Sequence, residues 1–193
     1  MKHGGDPWHA TFNRIDLLYD EIQKGYRGWI LYLDADAYVF DVAFDSRSYL
    51  DSRRDHGLIA LPVGTKIPTW NINAGILFFN ASNPSARSII IRWKIVFDLY
   101  RYTFLYYSVR MAKIVNDQSL LHLVLRTSPR LLESVYFENR ASTFVRQLLR
   151  AYYPDLALRV QTMERLVQEA LAKLDRDAKT RAPLPQGPLG GAI

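Results

Sequence analysis

Residues 29–41, WILYLDADAYVFD, constrain this chain more than any other stretch. Trp29, Ile30, Leu31, Tyr32 and Leu33 form a short unbroken apolar run, the pattern of a strand buried on both faces of a parallel sheet. Charge follows at once. Asp34 and Asp36 stand two residues apart, so in extended backbone their side chains leave on the same side, where the strand ends. Ligands of open α/β sheets bind in the crevice beyond the carboxyl ends of the strands, which is where this pair would lie. Two bare carboxylates there repel each other unless a cation lies between them. Oxygen-only ligation of this kind suits Mg²⁺ or Mn²⁺, with a phosphate-bearing ligand sharing the ion. On local grounds alone, the same aspartates serve equally as caps of the next turn or as solvated side chains.

The remaining composition bounds what such a strand can belong to. At 193 residues, 49% hydrophobic and 13% aromatic, the chain buries one sizeable core and reads as a single domain. It has no cysteine, which excludes disulfides, zinc-thiolate sites and cysteine nucleophiles. Lys and Arg number 25 against 19 Asp and Glu, a formal charge of +6 supplied mostly by arginine. That balance suits phosphate-bearing donors, anionic glycolipids or a membrane surface; no basic block or nucleic-acid motif accompanies it, so no nucleic-acid partner is expected. The first twelve residues lack the apolar core of a secretory signal, and no stretch approaches the ~20 uncharged apolar residues that span a bilayer. Residues 89–107 come nearest, but Arg92, Lys94, Asp98 and Arg101 interrupt them, which makes a buried or interfacial helix. Cytoplasmic residence is the expectation, with peripheral membrane contact left open.

Taken in order, residues 1–10 read as an irregular entry. Thr11 stands as N-cap of a helix over 12–24, in which Phe12, Ile15, Leu18, Tyr19 and Ile22 recur at helical spacing and which Gly25 and Gly28 end. A strand is predicted over 57–61, closed by Pro62 and Gly64, and a loop over 68–75 feeds a second strand over 76–79. Trp70 in that loop reads as a core tryptophan, with a stacking wall for a sugar as the alternative. Helices are predicted over 86–112 and 116–126, the second burying Leu120, Leu121, Val124 and Leu125. A strand over 131–137 follows. From 141 the pattern is helical, with Val160, Met163, Val167 and Leu174 on one stripe, and a Pro- and Gly-rich tail expected to be disordered begins at 177. The domain thus covers 1–176 and the tail 177–193. Consecutive helical and strand patterns favour an α/β sandwich.

An apolar strand ending in Asp34-x-Asp36, then Asn73-Ala74-Gly75 beside a second apolar run, then Asn116-Asp117-Gln118, in that order, resembles the nucleotide-sugar glycosyltransferases of the GT-A fold, in particular bacterial galactosyl- and glucosyltransferase-like groups. The resemblance covers roughly residues 12–125. It implies a GT-A sandwich with a mixed, mainly parallel sheet and a helical C-terminal region. It implies transfer of a hexose from a UDP- or GDP-sugar to a glycan or lipid-linked acceptor. A Mn²⁺ or Mg²⁺ ion on Asp34 and Asp36 would act as a Lewis acid on the departing diphosphate, with Asp36 the direct ligand and Asp34 sharing the ion or binding the ribose. Arg14, on the preceding helix, would reach toward the donor; its alternative is a solvated helix arginine. Asn73 and Gly75 would meet the sugar, the amide pairing with hydroxyls and the glycine permitting close approach. Asp117 would bind sugar hydroxyls or serve as base and Gln118 would lie near the reacting face, while locally Asp117 also reads as a helix N-cap.

The chain departs from that family in two places. Only 33 residues precede Asp34, where the family carries a nucleotide-binding portion of roughly 80 to 100 residues, the size of two or three βαβ units, so the domain is expected to be truncated at its N-terminus. The family's third metal ligand, a histidine after the Asp-Gln signature, has no counterpart except His122, which sits inside a helix and reads as structural. Two other functions stay open: a GT-A remnant acting as a binding domain, and a phosphohydrolase of the haloacid dehalogenase type. The latter's first motif is also Asp-x-Asp, with the first aspartate as nucleophile. Tyr38 and the lack of a downstream Gly-Asp-x-x-x-Asp motif weigh against it.

Overall fold

The computed structural model describes residues 11–62, 70–107, 116–138, 144–149 and 152–180. Helix α1 (Asn13–Gln23) buries Ile15, Leu18 and Ile22 along one face. Phe12, not Thr11, stands at its N-cap position, and Thr11 instead offers its carbonyl to Arg14 Nε at 3.2 Å. Gly25 takes φ +80°, so its N–H reaches Ile22 O and that of Tyr26 reaches Glu21 O, the paired bonds that stop a helix with a left-handed residue. The chain then enters β1 (Trp29–Leu33).

Four strands form the main sheet, in the order β1, β4 (Ile72–Asn80), β3 (Leu58–Pro62), β5 (Val135–Phe137). β1 and β3 each pair antiparallel to β4, and β3 pairs parallel to β5. The sheet is mixed as expected but not mainly parallel in its pairing. Nor is β1 buried on both faces. It is an edge strand among the described residues, with Leu31 39% exposed, whereas β4 is buried at every position but Asn73. An apolar pentapeptide reads the same at the centre or the edge of a sheet; only its neighbours decide. Because β1, β3 and β5 all run opposite to β4, their carboxyl ends share one margin with the start of β4. That margin carries Asp34, Pro62, Glu138 and Ile72.

Of the loop expected over 68–75, residues 72–75 belong to β4, which begins at Ile72, and 68–69 lie outside the described residues. Asn73-Ala74-Gly75 lies inside the strand, as a bulge. Ala60 pairs with Leu77 but the next residue, Leu61, pairs with Asn73. The bulge also switches faces. Leu77 and Phe79 share the larger core with Ile72 and Ala74, while Ile76 and Phe78 face the smaller one. In uninterrupted strand, residues of even and odd number would stay on opposite sides.

The larger core lies under α1, α3 (Pro84–Tyr107) and α4 (Asp117–Arg126), where Ile15, Leu77, Ile89, Ile90, Trp93 and Leu121 are fully buried. In α3, Ile89, Ile90, Trp93 and Phe97 turn inward while Ile95, Leu99 and Tyr102 stay exposed, so it is an amphipathic helix laid on the sheet. No helix among the described residues is long and apolar enough to cross a membrane. The predicted continuation of α3 to 112 lies outside the described residues. The other face is covered by α2 (Ser46–Asp51), capped by Asp45, and by a two-stranded ribbon of β2 (Ala37–Val39) and β6 (Val145–Gln147). The strand predicted over 131–137 is divided: Pro129 opens a short helix, α5 (Pro129–Glu133), before β5. Helix α6 (Leu156–Thr180) packs on β2. Its inward side carries Arg159, Met163, Val167 and Ala170, whereas Val160 and Leu174 of the predicted stripe are exposed. The helix runs through 180, so the expected tail boundary at 177 falls within it, and residues 181–193 lie outside the described residues, as do 1–10.

Candidate functional site

Beyond Leu33 the ladder continues by one bond, Asp34 N–H to Gly75 O at 2.8 Å, and a turn closed by Ala37 N–H to Asp34 O follows. That turn, not extended strand as expected, carries Asp36. Leu148 N–H fixes its carbonyl at 2.8 Å. Both carboxylates then meet one amide nitrogen: Gln147 Nε2 lies 2.8 Å from Asp36 Oδ1 and 3.4 Å from Asp34 Oδ2. The two acids do converge.

Arg14 is no solvated helix arginine. Its side chain is 6% exposed and reaches three elements. Nη1 donates to Ala74 O at 2.6 Å, Nη2 to Asp34 Oδ1 at 2.8 Å, and Nε stands 2.7 Å from Asp117 Oδ2, with the guanidinium 4.4 Å above the Tyr32 ring. Tyr32 adds a hydroxyl bond to Asp34 Oδ1 at 2.9 Å. Burial is the largest cause pushing that phenol's pKa up, so it stays a proton donor.

Asp117 is 5% exposed. The Arg14 Nε–H is directed at Thr11 O, so Asp117 Oδ2 has charge beside it but no hydrogen bond from any described residue. Burial pushes its carboxyl pKa above the usual aspartate value, against the pull of Arg14. It is not the N-cap: Asn116 is, accepting from Ser119 N at 2.8 Å, with Asp117 first in the helix where the N-terminal dipole favours a carboxylate. Gln118 Oε1 accepts from Ala74 N at 3.1 Å. Asp117 and Gln118 are therefore joined to the β4 bulge, the acid through Arg14 and the amide directly.

Asn73 and Gly75 complete the cluster. Asn73 Oδ1 accepts from Gly75 N at 2.9 Å, and its Nδ2 donates to Gln147 Oε1 at 2.8 Å. Arg159 of α6 reaches Asp36 Oδ2 at 3.4 Å. Three carboxylates, Asp34, Asp36 and Asp117, thus face two guanidiniums, Arg14 and Arg159. The cation that the Asp34 and Asp36 spacing calls for is supplied in part by the chain itself.

A divalent ion fits the two acids unequally. Asp34 Oδ1 is taken by Arg14 and Tyr32, which leaves Oδ2. Asp36 is engaged by an uncharged amide on one oxygen and only distantly by Arg159 on the other. One or two carboxylates suffice for an ion that arrives with substrate phosphates. A pocket of about 130 Å³, lined by Asn73, Arg146 and Gln147 together with Leu61, Ile76 and Val145, adjoins the cluster through Asn73 and Gln147, and neither Asp34 nor Asp36 lines it. A larger recess of about 510 Å³, near Gly28, Asn80 and Asn83, sits at the opposite end of β1 and β4 and holds none of these residues.

Sequence reading named neither Tyr32, Gln147 nor Arg159 for the site. Gln147 stands 111 residues from Asp36 in a three-residue strand and carries no local signal. Arg159 had one, its position four residues before Met163 on the packed face of α6. His122 and Trp70 fall outside the cluster. His122 Nε2 lies 2.8 Å from Ile72 O, holding the start of β4, and Trp70 meets the His122 ring edge-on and packs against the larger core.

Comparisons with protein-family models, curated proteins and solved structures returned no match.

Proposed function

We propose that this chain is a glycosyltransferase of the GT-A type, moving a hexose from a UDP- or GDP-sugar to a glycan or lipid-linked acceptor with a Mn²⁺ or Mg²⁺ ion. One observation carries the reading. Segments at 14, 34–36, 73–75 and 117–118, distant in sequence, meet in a single hydrogen-bonded cluster at the carboxyl ends of β1 and β3. This is the margin at which α/β sheets take ligands.

The metal, when bound, supplies Lewis-acid stabilisation of the leaving diphosphate. Asp36 is the residue to hold it, with Asp34 Oδ2 second. Arg14 keeps Asp34 aimed, and Tyr32 fixes the same oxygen. A buried carboxylate locked against a guanidinium is placed to orient Arg14 rather than to abstract a proton, so Asp117 is assigned that role and Gln118 that of fixing the bulge under the donor. The small pocket falls short of the roughly 300 Å³ at which sites for larger ligands begin, so it takes a single sugar ring rather than a whole nucleotide. The partial neutralisation of Asp36 by Arg159 favours a second reading, a binding domain without turnover.

Calorimetry with Mn²⁺ and a panel of UDP- and GDP-hexoses tests the assignment. Wild type is expected to bind one donor only with the metal present, and Asp36→Ala to lose that binding while keeping its circular dichroism spectrum. If wild type binds none of the panel, the glycosyltransferase reading fails; binding with no release of nucleotide selects the second reading.

A further inference from the structure

We propose that Gln147 is a positioning residue that holds Asp34 and Asp36 to one point, and that Asn73 and Gly75 act on the two acids through it. The direction of the hydrogen-bond chain is fixed at its start. The Gly75 N–H can only donate, so Asn73 must turn Oδ1 toward it. Asn73 then has Nδ2 left to give Gln147 Oε1, and Gln147 has Nε2 left for the acids. An amide held this way donates to both carboxylates, which a glutamate in its place would not do.

Gly75 is shaped to the same end. Its φ is not among the left-handed values, which belong to Gly25 and Gly28, so its backbone would accept a side chain. A Cβ there would collide with the Gln147 carboxamide, which would have to swing out of its place and give up its bonds to Asn73 and the acids. The bulge therefore divides its labour. Ala74 serves Arg14 with its carbonyl and Gln118 with its N–H, while Asn73 and Gly75 form the socket of Gln147. With Asp36 Oδ1 fixed by Gln147, Oδ2 is the oxygen presented to a ligand, where, among the described residues, only Arg159 stands, at 3.4 Å.

This rests on the donor-site reading of the acids, and the test separates the two. Titration of Mn²⁺ alone, followed by electron paramagnetic resonance, compares wild type with Gln147→Ala, Gly75→Ala and the double variant. Loss of a partner that orients a metal ligand typically costs about 10- to 100-fold in affinity, the loss expected of either single variant, and the double variant should be no worse than the poorer single. Unchanged or tighter Mn²⁺ binding by Gln147→Ala overturns the proposal. Thermal unfolding without metal gives an independent arm. Gly75→Ala should lower the melting temperature and Gln147→Ala in that background should restore part of it, because truncation removes the collision. Additive losses overturn the socket whatever the metal does. Should wild type bind no Mn²⁺ and no donor, the glycosyltransferase reading falls and the melting arm alone decides for or against the socket.

Discussion

With its guanidinium between Asp34 and Asp117, Arg14 supplies each acid with a charge that nothing else among the described residues brings so near, and Arg14→Leu strands both at once. Breaking a buried ion pair from one side costs about 3–5 kcal/mol, and the partial exposure of Asp34 places the expected loss at the lower end of that range. Urea unfolding at pH 7 measures it. Asp117 makes a different prediction, because burial raises its carboxyl pKa above the usual aspartate value. In that window the native state holds the proton more tightly than the unfolded chain does, so this group takes stability away as pH rises from about 3.8 through the native pKa. Asp117→Asn should therefore gain stability relative to wild type as pH is raised from 4 to 7, read as a melting-temperature difference that grows more positive. A difference that runs the other way would mean that Arg14, not burial, dominates. At this scale, charge next to a motif was legible: Arg14, Asp34, Asp36 and Asp117, all singled out in the sequence, meet in one cluster, although Asp36 sits in a turn and not in extended strand. Gln147 was not, because an uncharged amide in a short strand has no pattern until β6 is paired to β2.

The elements that carry the site are set by ordinary local rules at their ends and by tertiary contact in their middles. Asn116 caps α4 with its side chain, and that cap fixes which residues of the first turn face Arg14 and Ala74. Asn116→Ala should cost about 1 kcal/mol in urea unfolding, the usual value of an N-cap, and weaken any donor binding by loosening Asp117 and Gln118 together. Helices α1 and α4 were readable because a 3.6-residue apolar period needs no partner to be seen, and their predicted buried residues Ile15, Leu18, Leu120 and Leu121 are the ones buried. Strand β4 was not readable from its start. Asn73-Ala74-Gly75 has loop composition, and its inclusion in the strand depends on β1 continuing to pair there, through Asp34 N–H to Gly75 O, while β3 skips across the bulge.

Across the molecule, Trp93 ties the layers together. It is fully buried in α3, packs against Phe79 of β4, and donates Nε1–H to Asp117 O at 3.0 Å. Trp93→Phe would remove that bond, a loss of about 0.5–1.5 kcal/mol beyond the lost packing, and the same unfolding curve should show no change in cooperativity because one core joins these elements. A second, lower-temperature transition in calorimetry would show that α3 and α4 unfold apart. By itself the sequence determined that the chain is α/β, where α1, β1, β3, α3 and α4 fall within a few residues, and which acids and which arginine merit attention, because apolar period and charge are local properties of the chain. The tertiary structure alone decided that β1 lies at the edge and β4 at the centre, that the sheet pairs mostly antiparallel, and that Gln147 and Arg159 join the acids. Those outcomes depend on which strands find each other across long separations, and the energy of that pairing resides in contacts that no single segment contains.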